Sequence, residues 1–409
     1  MAQQEHPAQR RTILSLSAGA FIRDLGNYVI WIILAIYLYD VRALTFLEVG
    51  AFYLLTGLLS APVTISGGAL LDRIGRRRVA VLLPWLLGLL SSLVFLLVFS
   101  DGNLYLLLGI LLVMGPFQAL SGVANQSILS DVTRGDERIS GFSALRVASN
   151  AGIVVGLVAG GLLSEVSYAW VFLLSVAGYL TEGVIYFLHI PETLPSRAKA
   201  MDEAQSPLRS PPPHRNRLFL EISIFISITW LVVGMFESIL TPLYMSSVNH
   251  FSNLEITGLF AINGLVVVGG QYLVNRGFQG FSDLGRTGIG LLFFGAGFVL
   301  FALSPLYLLA GIAVLILTIG EDIGSPASIT LVTKLSPEDR RGAYLGFNST
   351  ISNLISPFRP LLAAATLSIT LADPPVAWYG VAAACAILAA LVPVMARRLA
   401  RSFPPPGTK

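Results

Sequence analysis

Apolar runs of 19 to 29 residues follow one another along nearly the whole chain, separated by short polar connectors. A helix crossing a bilayer needs about 20 mostly apolar residues, and in hydrocarbon every backbone polar group must be satisfied within the segment. Such runs therefore predict transmembrane helices. Twelve are found: 12–39, 45–71, 78–100, 103–129, 139–163, 168–190, 218–246, 254–275, 286–304, 306–332, 341–368 and 375–396. Only 12% of residues are charged, against about 25% in soluble domains. The expected fold class is all-α integral membrane, with twelve transmembrane helices in two six-helix bundles.

The connectors carry turn residues such as Asp101-Gly102-Asn103 and Asp373-Pro374-Pro375. One segment is different. Residues 191–217 are polar and proline-rich, and read as an extended or disordered linker. The predicted layout is a cytoplasmic tail at 1–11, one bundle at 12–190, a cytoplasmic linker at 191–217, a second bundle at 218–396 and a cytoplasmic tail at 397–409. The first apolar run is too long for a signal-peptide core and reads as retained.

Charge sets the expected orientation. Of the 26 lysines and arginines, Arg42 alone falls in a loop on one side. Arg23, Arg146 and Arg359 fall inside spans, and the remaining 22 lie on the side of the termini. The positive-inside rule then puts both termini in the cytoplasm of a multi-pass protein of the cell membrane, inner or plasma.

Several function classes lack a seat in this sequence. Lysine occurs only at 199, 334 and 409, so there is no P-loop. His6, His189, His214 and His250 have no metal-ligand spacing. No G-x-S-x-G elbow is present, and Cys385 is the single cysteine. No basic, aromatic-interleaved patch suggests nucleic-acid binding. The expectation is no enzyme, no cofactor, no metal and no nucleic-acid partner. Partners would be the bilayer, a small-molecule substrate and protons, and a monomer is expected.

The two halves resemble each other. A-I-Y-L-Y (35–39) and P-L-Y-M-S (242–246) close the first span of each half, and D-E-R-I-S-G (136–141) and E-D-R-R-G (338–342) open the fifth. A common spacing of about 200 residues points to a duplicated six-helix unit. The connector Gly68–Arg78 reads G-A-L-L-D-R-I-G-R-R-R, with a degraded counterpart in G-F-S-D-L-G-R (280–286).

This connector resembles the G-x-L-x-D-R-x-G-R-R signature of the major facilitator superfamily, a family of secondary transporters, and the likeness extends over about residues 12–396. The resemblance implies two pseudo-symmetric bundles. It also implies that Gly68, Asp72 and Gly75, with Arg73, Arg76 and Arg77 as basic partners, shape the hairpin between spans 2 and 3 and help hold the halves together as a gate. The alternative for Arg76–Arg78 is that they only enforce topology. In the fifth span Gly152, Gly156 and Gly160 recur every fourth residue. They form a small-residue packing face, similar to the helix 5 motif of the family's drug–proton antiporters. Where that motif has Gly-Pro, this chain has Gly156-Leu157.

Ionisable residues at membrane depth are costly and mark function by default. Arg23 and Asp24 fall near the middle of span 1, either as a structural pair or as a site. Arg146, with Asn150 one turn above it, lies in span 5 and is read as an anion site or as the neutralising partner of Asp24 or Glu182. Glu182 is deep in span 6, and Glu237 in span 7 could meet a cationic substrate or a neighbouring helix. Glu321 and Asp322 in span 10 are the sharpest proton-coupling candidates, since two adjacent carboxylates in low dielectric rarely both ionise. Arg359 in span 11 could re-pair as their proton moves, and a static ion network is the alternative. Gln118 and Asn125 in span 4 are weaker cavity candidates.

The resulting expectation is a secondary active transporter working by alternating access. It is proton-coupled, with export of lipophilic or cationic compounds preferred. The alternatives are proton-coupled or facilitative uptake of a metabolite, and a non-transporting membrane sensor on the same fold.

Overall fold

A computed structural model describes residues 7–133, 135–193, 210–303 and 305–402. Residues 1–6 of the expected N-terminal tail, 194–209 of the expected linker and 403–409 of the C-terminal tail lie outside the described residues. The described residues form helices and no strand.

The first six spans are single helices: α1 (Pro7–Ile36, continuing into a π-helical turn, Tyr37–Val41), α2 (Phe46–Ile74), α3 (Arg76–Phe99), α4 (Leu104–Val132), α5 (Gly135–Val166) and α6 (Tyr168–His189). Span 7 comprises α7 (Arg217–Val233), a π-helical turn (Phe236–Leu240) and α8 (Thr241–Ser247). Then come α9 (Asn253–Gly277), α10 (Asp283–Leu303), α11 (Tyr307–Lys334), α12 (Arg341–Ile355), α13 (Phe358–Ile369) and α14 (Pro375–Ser402).

Eleven helical segments among the described residues are long and apolar enough to cross a bilayer. The eleventh apolar run, expected as one helix over 341–368, is broken into α12 and α13. Pro357 and Pro360 remove two backbone donors there, and Arg359 N–H instead bonds Ser356 O at 3.1 Å. Span 7 breaks for the same reason. Pro242 has no N–H for the carbonyl four residues back, and that residue, Ser238, is non-helical (φ −82°, ψ −147°).

The tightest connection joins α2 to α3 through Gly75 alone, at φ +101°. Only glycine adopts that conformation without strain. Thr45 caps α2 through a reciprocal box with Glu48, and Asn103 caps α4 by accepting from Leu106 N–H.

The chain forms two compact units. One comprises Met1–Gln205 with Met245–Gly264, the other Ser206–Tyr244 with Leu265–Lys409. In the first, α1 packs against α5 and α6, α3 bridges α4 and α6, and α2 lies on α4. Met245–Gly264 joins it through α5: Leu254 N–H donates to Glu165 at 3.0 Å, and Gly264 faces Val154. In the second unit α10 packs against α11 and α14, and α12 against α7.

Candidate functional site

Close backbone approach brings the first unit's charges together. A Cβ on Gly156 would lie 2.8 Å from both the carbonyl carbon and Cα of Leu25, and one on Gly152 would lie 2.9 Å from the carbonyl carbon of Phe21. Gly160 faces the side chain of Val29, whose methyl carbons would lie 2.6 Å from a Cβ there. The three glycines of α5 thus seat α1 directly on the α5 backbone. On the other side, Gly26 abuts Leu174 O and Gly178 abuts Ile22 O, bringing α6 equally close.

Arg23 then meets two carboxylates. Its Nε and Nη2 donate to the two oxygens of Asp24 at 2.8 and 3.0 Å, and Nη1 reaches Glu182 Oε1 at 3.5 Å. The Ser149 hydroxyl on α5 also donates to Asp24. Glu182 is fully buried, and its Oε2 has no hydrogen-bond partner. The Tyr186 hydroxyl and the Asn125 amide are the neutral donors that stand beside it. One turn toward the other end, Gln118 donates to Asn27 at 3.1 Å and to the Tyr179 hydroxyl at 2.9 Å.

Arg146 does not neutralise Asp24 or Glu182. Arg23 occupies that position, because α1 lies between α5 and α6. Arg146 is exposed and has no ion-pair partner among the described residues. The exposed apolar side chains of α5 (Val147, Val155, Val158, Leu162) share one face of the helix, and Arg146 projects away from it. Ser149, Tyr179 and Tyr186 were not legible as site residues. The two tyrosines do sit three residues before and four after Glu182, the helical spacing of a shared face.

In the second unit, Arg359 donates from Nη2 to Trp230 O at 2.9 Å, at the point where α7 ends. Its guanidinium lies against Gly234, where a Cβ would come within 2.5 Å of Nε. Glu237 is exposed in the π-helical turn that follows. Glu321 and Asp322 point about 100° apart on α11, as consecutive helix residues do. Asp322 is buried, with Oδ2 directed at Gly270, and Glu321 is half-buried. Pro326 lacks the N–H that would bond the Asp322 carbonyl, which loosens α11 one turn from the carboxylate.

Gly234 has φ −72°, which alanine tolerates, so Gly234→Ala isolates the clash with Arg359. It should displace the guanidinium and cost about 1–3 kcal/mol, the scale of a lost charged hydrogen bond. Thermal unfolding in detergent tests this. In an Arg359→Ala background, Gly234→Ala should lose most of its effect.

The hairpin between α2 and α3 is wired into the first unit. Arg76 bridges Asp72 (3.1 Å) and Asp131 at the end of α4. Glu192 accepts from the N–H groups of Arg76 and Arg77 at 3.2 and 3.4 Å, an acidic cap on α3. Arg77 donates to Ile190 O at 2.7 Å and Phe187 O at 3.2 Å, closing the end of α6. Gly75 is required by its φ angle. Gly68 is not a close-packing glycine among the described residues: a Cβ there meets nothing within 4 Å, and the neighbouring Gly67 faces Leu120 and Val123 instead. Arg73 and Asp72 are exposed. The counterpart hairpin has the inverse polarity, with Asp283 held between Arg286 and Lys334 (2.6 Å to the latter).

A helical bundle with ionisable groups at membrane depth and a charged hairpin is the make-up that the family resemblance implies. The major facilitator superfamily profile matches residues 16–360, and the chain belongs to that family. It is 25% identical over 346 residues to the uncharacterised MFS-type transporter YttB of Bacillus subtilis, covering 82% of this chain and 83% of that one. It is 22% identical to the quinolone resistance protein NorA of Staphylococcus aureus (89% and 92% covered) and 26% identical to the class C tetracycline resistance protein of Escherichia coli (81% and 81%). Among solved structures, a POT family transporter in complex with 5-aminolevulinic acid aligns with a TM-score of 0.76 at 14% identity, over 95% of this chain and 96% of that one. The nucleoside transporter NupG aligns at 0.75 and 12% identity, over 94% and 99%. These two likenesses concern the fold. The protein is a multi-pass membrane transporter of the major facilitator type acting on small molecules.

Proposed function

We propose that this transporter exports lipophilic or cationic small molecules in exchange for protons, with both termini in the cytoplasm. The observation carrying this reading is that the first unit keeps two carboxylates at membrane depth beside a single arginine, Asp24 and Glu182 with Arg23. Carboxylates in that setting can trade a proton for a cationic or polar substrate group, because the arginine cannot neutralise several at once. Relatives named for quinolone and tetracycline resistance support the outward direction. The 22 basic residues on one side support the orientation. The hairpin clamp around Arg76 fits a gate that holds one state of an alternating-access cycle.

A second reading, uptake of an anionic metabolite, is favoured by one feature, the exposed Arg146, which has no ion-pair partner among the described residues. Protein reconstituted in liposomes under an imposed proton gradient separates the two. A panel of lipophilic cations, quinolones, tetracyclines and organic anions should show gradient-driven movement of the first three classes against the proton flow. Asp24→Asn/Glu182→Gln should remove that movement. Anion flux running with the protons would establish uptake, and flux indifferent to the gradient would exclude coupling.

A further inference from the structure

We propose that Glu182 holds a transported proton: in the arrangement seen here it is the neutral acid, and it ionises when Arg23 turns from Asp24 to it. This rests on the reading that transport is proton-coupled, and it assigns a residue to that role.

The geometry is a competition of two carboxylates for one guanidinium. Asp24 has won it, with a two-point contact at 2.8 and 3.0 Å and a further donation from Ser149. Glu182 receives one long charged contact at 3.5 Å, and its second oxygen has only the neutral Tyr186 and Asn125 beside it. Glu182 is 0% exposed, so water does not replace the missing donor. An ionised carboxylate left so poorly paired out of water costs several kcal/mol, and binding a proton removes that cost.

No other cation among the described residues completes the pair. From α6 itself Tyr179 and Tyr186 face Glu182, from α4 Asn125, from α1 Arg23 and Asp24, and from α5 Ser149 by way of Asp24. Helix α3 presents Trp85 against Gly183 and no titratable group there. Arg146 lies three residues before Ser149 but is exposed and pairs with neither acid. Tyr186 reaches this depth because Gly19 leaves room for its ring.

The exchange balances simply. The O–H bond of Glu182 breaks, the proton leaves to water admitted from one side, and Arg23 keeps its own charge while moving to the new carboxylate. Asp24 then keeps the Ser149 hydroxyl as donor and is the group free to take a proton. One arginine and one proton thus serve two acids in alternation.

Infrared spectroscopy of the full-length protein in lipid nanodiscs at neutral pH tests this without any substrate. The wild type should show the C=O stretch of a protonated carboxylic acid, and Glu182→Gln should lose it. Asp24→Asn, which leaves Glu182 untouched, should lose it too, because Arg23 is then free to pair with Glu182. A purely structural Glu182 predicts no such effect of Asp24→Asn. A band that survives Glu182→Gln, or that survives Asp24→Asn, overturns the proposal. In liposomes Glu182→Gln should lower gradient-driven flux by about tenfold or more while downhill exchange persists. A Glu182-dependent band in a protein whose flux ignores the gradient would uphold the proton assignment and defeat the coupling reading instead.

Discussion

Arg23→Gln should be among the most damaging single changes in this protein. The side chain is charge partner to Asp24 and Glu182, which are 15% and 0% exposed. Removing one member of a buried pair leaves an uncompensated charge and costs about 3–5 kcal/mol. Glutamine keeps most of the volume, so the loss is electrostatic rather than a cavity. Thermal unfolding in detergent should show the loss of stability. The double change Arg23→Gln/Asp24→Asn should recover a substantial part of it, because the best-paired carboxylate no longer needs a cation. If Arg23→Gln unfolds like the wild type, the cluster is solvated and its ion pairs contribute little.

Gly156→Ala is the second change with a large expected effect, and it acts by steric means alone. One methyl group at that position meets the backbone of Leu25, with contacts of 2.8 Å to two main-chain atoms. Main chain cannot rotate aside as a side chain does, so α1 and α5 must separate. Overpacking of this kind costs about 1–3 kcal/mol, and more where backbone must shift. The separation would also pull Ser149 from Asp24 and loosen the Arg23 cluster. Reduced yield of folded protein and lower flux are expected together. Gly68→Ala is the control, since a Cβ there meets nothing within 4 Å, and it should leave stability unchanged.

Some of this was written in the chain. Twelve apolar runs, the bias of basic residues and the eleven-residue charged hairpin follow from what hydrocarbon excludes. Run length and charge alone therefore indicate twelve spans, and the transporter fold was implied by the resemblance of Gly68–Arg78 to the family signature. The ionisable residues at membrane depth were visible for the same reason, because each is an exception in an apolar run. The breaks in spans 7 and 11 were legible in part, since Pro242, Pro357 and Pro360 stand in the sequence. Apolarity alone still reads each run as one helix, as it did for 341–368.

Which charge meets which partner could not be read that way. Arg23, rather than Arg146, serves Asp24 and Glu182, and Arg359 seats against Gly234 and Trp230. Asp131 and Glu192, more than 50 residues from the hairpin in sequence, complete its clamp around Arg76 and Arg77. Composition and run length fix that a segment lies in the membrane, because burial in hydrocarbon is a property of the segment as a whole. Pairing depends on the rotation and closeness of helices, which here are set by glycines such as Gly26, Gly152, Gly156 and Gly178 meeting a neighbour's backbone. That is a contact between segments far apart in the chain, and only the tertiary structure decides it.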